Sequence, residues 1–161
     1  MAKAGKGLAR APAGRIINLK PEVSTEEVQG LLALAVGRPT ATRIEEVCQM
    51  YQFLAGWDLF GYRIGGDVVG CIGIQLLSWR EGMVRHISVA PEHRAQGIGR
   101  AMIGYVLRRF ALTRLTAETN AEAVGFYRRC GFTATALPEP YPGVERFQCV
   151  WEVEGVGLTA S

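Results

Sequence analysis

Residues 94–99, Arg-Ala-Gln-Gly-Ile-Gly, restrict what this chain can fold into more than any other stretch. Before them stand Met83, Val84, Ile87 and Val89, ending at Pro91, a β-branched run that predicts a strand entering a turn. After them Ile98, Met102, Val106 and Phe110 recur at i+4, with Ile103 and Leu107 one position on, which is the buried stripe of a helix. The helix therefore starts between the glycines. Gly97 and Gly99 carry no Cβ, so a negatively charged group can come close to the main chain while the first unpaired N–H groups of the helix point toward it. That physics describes an anion site and leaves the anion unnamed, and a tight strand-to-helix connection is the plain reading of the same two glycines.

The charge balance narrows the partners. Lys3, Lys6, Arg10, Arg15 and Lys20 fall in the first twenty residues with no acid among them, and taking those five from the 18 basic residues leaves 13 against 15 acids. The rest of the chain is slightly acidic, which gives no support to a nucleic-acid footprint. Residues 1–14 are expected to be a flexible basic tail, residues 15–153 one folded domain, and residues 154–161 a C-terminal tail. No apolar run approaches the roughly 18 residues of a membrane-spanning helix and no signal segment opens the chain, so the expectation is a cytoplasmic protein without a membrane partner. Cys48, Cys71, Cys130 and Cys149 are widely spaced, and with two histidines the chain offers no metal set, so four reduced, mostly buried thiols are expected.

In chain order, residues 15–20 predict a first strand stopped by Pro21. Ser24 and Glu27 have the spacing of a capping box before a helix with Leu31, Leu32, Leu34 and Ala35 on one side. After Gly37-Arg38-Pro39, Thr40 or Thr42 can cap a second helix bearing Ile44, Val47, Cys48, Tyr51 and Leu54. Residues 59–64 and 68–77 form a hairpin across Gly65-Gly66-Asp67, its second arm apolar enough to need helices over it. The turn at residues 79–82 leads into the strand ending at Val89. Residues 114–119 predict a fifth strand. Asn120 caps a short helix with Ala123, Phe126, Tyr127 and Cys130, closed by Gly131, and residues 132–136 and 144–153 make two more strands.

Two motifs carry a resemblance. The strand, then Val-x-Pro-x-x-Arg-x-x-Gly-x-Gly at residues 89–99, then the amphipathic helix, is similar to the acetyl-coenzyme A loop of the GNAT superfamily of N-acetyltransferases. The stretch at residues 120–132, an Asn-Ala start, Phe126-Tyr127 and a Gly131-Phe132 end, resembles that family's second signature, 21 residues after Gly99. The likeness covers residues 15–153 and implies an α/β (α+β) GNAT fold. Its mixed, mostly antiparallel sheet would hold about seven strands, with four helices and splayed strands 4 and 5.

The resemblance implies acetyl-CoA as co-substrate, with no metal, and assigns residues to it. The loop Arg94, Ala95, Gln96, Gly97, Ile98 and Gly99 would hold the pyrophosphate, with Arg94 and Arg100 adding charge. Val89 would pair through its backbone with the pantetheine arm and Ile87 lie beside it, its side chain reading as core. Asn120 would bond the same arm, beyond its plain reading as a helix cap. Tyr127, otherwise a core aromatic, would protonate the departing thiolate, and a phenol with a reference pKa near 10 stays protonated at neutral pH. For the base that frees the amine, Glu81 is the first candidate, His86 the rival and Glu118 the third. No cysteine or serine stands beside an activating base, which favours direct attack in a ternary complex over an acyl-enzyme.

The expected acceptor is a small-molecule or peptide amine, with Trp57, Trp79 and Tyr141 as candidate walls of its pocket, and a homodimer stays open. The alternative is a non-catalytic acyl-CoA-binding or regulatory domain, against which Tyr127 argues. A phosphate-loop nucleotide enzyme is disfavoured because Gly99 is followed by Arg100-Ala101 in place of Lys-Ser/Thr, and a dinucleotide fold lacks its G-x-G-x-x-G.

Overall fold

Two apolar runs joined by Gly65-Gly66 become neighbouring strands, and the rest of the sheet grows out from them. The computed structural model describes residues 10–154. In chain order its elements are β1 (Arg15–Asn18), α1 (Glu26–Ala35), α2 (Ala41–Phe53), β2 (Trp57–Ile64), β3 (Asp67–Ser78) and β4 (Glu81–Val89). Then follow α3 (Ile98–Arg109), β5 (Arg114–Asn120), α4 (Val124–Arg129), β6 (Thr133–Leu137) and β7 (Arg146–Glu152). Short 3-10 turns at Lys20–Glu22 and Pro91–His93 each contain a proline. The strands form one seven-stranded sheet in the order β1-β2-β3-β4-β5-β7-β6, mostly antiparallel, with β4 and β5 parallel. Seven strands and four α-helices among the described residues match the expected tally. The tails assigned to residues 1–14 and 154–161 lie, apart from residues 10–14 and Glu154, outside the described residues.

By internal packing the chain divides into two units. Among the described residues, one holds residues 10–74 together with His86–Tyr105; the other holds Gln75–Arg85 together with residues 106–154.

In the first unit β1 pairs antiparallel with β2, from Arg15 opposite Arg63 to Asn18 opposite Phe60. Thr25 caps α1 by accepting the Val28 N–H at 3.3 Å, and Thr40 caps α2 by accepting the Arg43 N–H at 3.1 Å. The expected Ser24–Glu27 capping box does not form. The cap sits one residue later because Glu27 turns to accept the Val68 N–H of β3, and the Ser24 hydroxyl accepts from the Gln52 side chain of α2. Val28, Leu31 and Leu32 of α1 and Ile44, Val47, Cys48 and Tyr51 of α2 join Leu59, Val68 and Cys71 of the sheet in one core cluster. Each fully buried large side chain there is worth roughly 1.5–3 kcal/mol. Residues 68–74 of β3 are buried throughout, so the apolar arm of the hairpin is covered as its composition required. Ile98, Met102 and Ile103 supply the buried stripe of α3 in this unit; Val106 of the same helix, buried, and the half-buried Leu107 and Phe110 belong to the other.

In the second unit β4 and β5 pair in parallel over Glu81, Gly82 and Met83 opposite Arg114, Leu115 and Thr116, the short pairing that a splay of strands 4 and 5 calls for. From Arg114 opposite Glu152 to Asn120 opposite Arg146, β5 runs antiparallel to β7, which pairs on its other side with β6. The turn into β4 is two residues, Trp79-Arg80, with Arg80 in the left-handed region at φ 68°. Its Nε donates to the Ala111 carbonyl at 2.8 Å, and Gly82, expected in the turn, is buried inside the strand. Gly131 closes α4 at φ 94°, as expected of a residue following a helix.

Candidate active site

The first unit holds the glycine loop. The last strand residues lead to Ala90, whose N–H donates to the Val69 carbonyl at 2.8 Å and ties the end of β4 to β3. Pro91 opens a 3-10 turn, which Arg94 closes with its N–H on the Pro91 carbonyl at 3.3 Å. Two left-handed residues then follow, Ala95 at φ 61° and Gly97 at φ 85°, and α3 begins at Ile98. Gly97 is the residue before the helix, because its carbonyl accepts the Ala101 N–H at 2.9 Å. By helix geometry the N–H groups of the first turn have no acceptor within the helix, so they face out of its N-terminus with the positive end of its dipole. Arg94, Ala95 and Gln96 are exposed and Gly97 is half-buried, leaving this concave backbone open to a ligand.

The sequence placed the site's permissive geometry on Gly97 and Gly99. The structure puts left-handed backbone at Ala95 and Gly97, and Gly99 lies buried in the first turn of α3. An alanine at φ 61° is strained, by roughly 1–3 kcal/mol, and such strain is a signature of ligand-holding loops. Arg94 bends its side chain back so that Nε donates to the Val89 carbonyl at 2.9 Å. Its guanidinium is thereby anchored at the end of β4, and Arg100, exposed in the first turn of α3, adds a second positive charge to the same segment. Val89 and Ile87 are both half-buried at the end of β4.

The same unit holds His86, whose Nδ1 lies 2.5 Å from the hydroxyl of Tyr51 on α2. Tyr51 is fully buried, and its ring meets those of Trp57 and His86 edge-on at 5.5 Å and 5.6 Å. Two residues further on, the Ser88 hydroxyl donates to the Leu31 carbonyl of α1 at 2.6 Å. Helix periodicity places Tyr51 on an apolar face and gives no sign of this polar contact. Trp57 is 9% exposed and belongs to the core, so it is no wall of an acceptor pocket; burial of its large ring in the cluster outweighs exposure to a ligand. Trp79 and Tyr141, in the second unit, are 85% and 71% exposed.

The second unit holds the remaining candidates. Asn120 ends β5, and its Oδ1 accepts the Ala123 N–H at 2.9 Å, closing the turn before α4. The helix starts only at Val124 with no side-chain cap, so Asn120 caps the turn and not the helix expected from its position. Tyr127 is 4% exposed on α4, with the rings of Phe126 and Phe132 edge-on at 5.2 Å each. Burial, with the neighbouring Cys149 and Cys130 thiols adding to it, pushes its phenol well above the ordinary tyrosine range. Its hydroxyl makes no hydrogen bond among the described residues. Glu81 is half-buried at the first position of β4, opposite Arg114, and Glu118 is exposed on β5 opposite Gln148. Cys48, Cys71 and Cys149 are buried and Cys130 half-buried, all as free thiols. Among the described residues no three His, Cys, Asp or Glu gather in a way that could hold a metal, and no helix is long and apolar enough to cross a membrane.

Comparison with known proteins supplies independent evidence. Residues 55–134 match the family model of the acetyltransferase (GNAT) domain. An N-acetyltransferase of Bacillus methanolicus, encoded 3' of lysA and itself uncharacterized, is 31% identical over 101 residues, covering 63% of this chain and 82% of that protein. The peptidyl-lysine N-acetyltransferase YjaB of Salmonella typhimurium is 38% identical over 61 residues, which span 34% of this chain and 42% of that relative. The fold is shared with a GNAT family acetyltransferase from Elizabethkingia anophelis solved with acetyl-CoA bound, at a TM-score of 0.66 and 21% identity, covering 87% and 98% of the two chains.

Proposed function

Since the chain belongs to the GNAT superfamily of acetyltransferases, we propose that it transfers the acetyl group of acetyl-CoA to a primary amine by direct attack. The observation that carries this reading is the loop at residues 94–99. Its alternating left-handed residues and the start of α3 present main-chain donors to a pyrophosphate, and Arg94, anchored on the Val89 carbonyl, brings a positive charge to the same segment. These residues fit the phosphates of a coenzyme A, and the acetyl-CoA in the Elizabethkingia structure supports the same cofactor. The cofactor brings an activated thioester; the chain's own residues bind, orient and move protons.

Each proposed role draws support from a residue's surroundings. The loop amides hold the pyrophosphate, and the backbone of Val89 at the end of β4 lines the pantetheine arm. Asn120 retains its side-chain amide N–H groups for that arm while its Oδ1 holds the Ala123 N–H. Tyr127 keeps its proton at neutral pH because burial disfavours the phenolate, so it can donate to a departing thiolate. The amine must also lose a proton, and β4 carries two candidates to accept it, Glu81 at its start and His86 further along. Fixing the acetyl carbon against the nitrogen supplies much of the rate.

The named activity of the Salmonella relative toward peptidyl-lysine supports an amine acceptor of this kind. We place the reaction in the cytoplasm, where acetyl-CoA is found. The expected result is that the protein, given acetyl-CoA and a panel of polyamines, aminoglycosides, amino acids and peptides, releases coenzyme A thiol with at least one member and yields its N-acetyl product. Binding of acetyl-CoA with no product from any class would instead support the non-catalytic acyl-CoA-binding reading.

A further inference from the structure

Tyr51 and His86 form a contact that the glycine loop and Tyr127 do not explain. Tyr51 projects from α2 across β3 to reach β4, and it crosses at Gly73. A Cβ built on Gly73 would collide with the Tyr51 hydroxyl and ring, so the absence of a side chain at this one position in a buried apolar strand is what lets the phenol pass. At the far side the phenol meets Nδ1 of His86 at 2.5 Å. The phenol is fully buried; the imidazole is half-exposed. A buried tyrosine needs a partner for its hydroxyl, and many would find a carbonyl. This one ends on the side chain that exchanges protons most readily near neutral pH.

The other polar side chain on this face of β4, Ser88, is tied to the Leu31 carbonyl and serves the packing of α1. His86 differs because it has two ring nitrogens, and engaging one sets the tautomer of the other. We propose that Tyr51 is a positioning residue that orients His86, and that His86 is the base that takes the proton from the incoming amine. The proposal rests on the acetyl-transfer reading above. His86 Nδ1–H donates to the Tyr51 oxygen, and proton exchange takes place at Nε2. As the amine nitrogen bonds to the acetyl carbon, its proton passes to Nε2 while the carbon–sulfur bond breaks and the sulfur takes a proton from a general acid. Solvent then removes the imidazolium proton and returns one to that acid, so the net products are the N-acetylamine and the free thiol. The arrangement has the order of other catalytic bases, a proton acceptor held in one orientation by a buried third group.

The test uses the full chain, acetyl-CoA and the best acceptor of the amine panel. His86→Gln should slow the single-turnover transfer step by ~10²–10⁴-fold with unchanged acetyl-CoA affinity. Tyr51→Phe, which keeps the ring that Trp57 packs against, should slow it by ~10–100-fold at unchanged affinity. With only two histidines in the chain, 15N-histidine spectra resolve His86 from His93, and His86 should show one fixed tautomer in the parent and a mixture in Tyr51→Phe. A parent that transfers while His86→Gln matches its rate overturns the proposal and leaves acetyl transfer standing. So does a Tyr51→Phe protein that loses stability alone, its tautomer and rate unmoved, or a loss confined to Glu81→Gln. A parent that acetylates no amine at all overturns the transfer reading and this inference with it.

Discussion

Tyr127→Phe is expected to lower the rate of the transfer step by roughly 10²–10⁴-fold while acetyl-CoA binds as before. The substitution removes one oxygen and leaves the edge-on contacts to Phe126 and Phe132, so the 4%-exposed ring stays packed and the loss reports on the hydroxyl alone. The direction of the phenol's shift matters to how the loss should look. Burial raises its pKa above the ordinary value of about 10, so the proton is present throughout the neutral range and leaves only at higher pH. The parent's rate should therefore show no fall from Tyr127 ionisation below about pH 10, and the variant should be slower by the same factor across that range. Single-turnover measurement is needed, because product release can hide a slower chemical step at steady state. An unchanged chemical step would make Tyr127 a packing residue.

Gly97→Val is expected to abolish the stabilisation that acetyl-CoA gives the parent. At about a hundredfold excess over Kd, a ligand selective for the folded state adds about 2.7 kcal/mol, and for a domain of this size each kcal/mol moves Tm by roughly 2–4 °C. Gly97 sits at φ 85°, immediately before α3, where a side chain would project into the backbone concavity that the phosphates need. The unliganded variant should lose ~1–3 kcal/mol from the strained backbone and remain folded. Gly97→Asn keeps more of that stability, since asparagine tolerates left-handed backbone, and should also lose the cofactor shift. A full shift in both variants would put the phosphates elsewhere.

What the sequence disclosed depended on the range of the interaction concerned. The start of α3 at Ile98 and the left-handed Gly131 were legible because neighbouring residues decide them, through helix periodicity in one case and backbone sterics in the other. The Ser24–Glu27 box failed for a reason outside its own segment, because Glu27 found the Val68 N–H on a strand 41 positions away. Asn120 was correctly read as a local acceptor, but the helix it was to cap begins four residues later, since the turn at Ala123 uses its oxygen first. The turn into β4 was not legible because no glycine takes its left-handed position; Arg80 does, with its side chain anchored on the Ala111 carbonyl. Tyr51 was invisible as a partner for His86 because residues 35 apart carry no mutual signal in one sequence. Gly73, one of two glycines inside the buried apolar strand β3, was the available hint that something passes close to the backbone there.

The central claim is that the amine attacks the bound thioester directly, and rapid-quench analysis of enzyme-bound acetyl-CoA tests it with and without an acceptor. Direct transfer predicts that, without amine, no thiol is released and the intact mass of the protein is unchanged. Adding amine should then release thiol and form N-acetyl product at the same rate. A burst of thiol without amine, accompanied by an acetylated protein that passes its acetyl group to amine added later, would contradict the account.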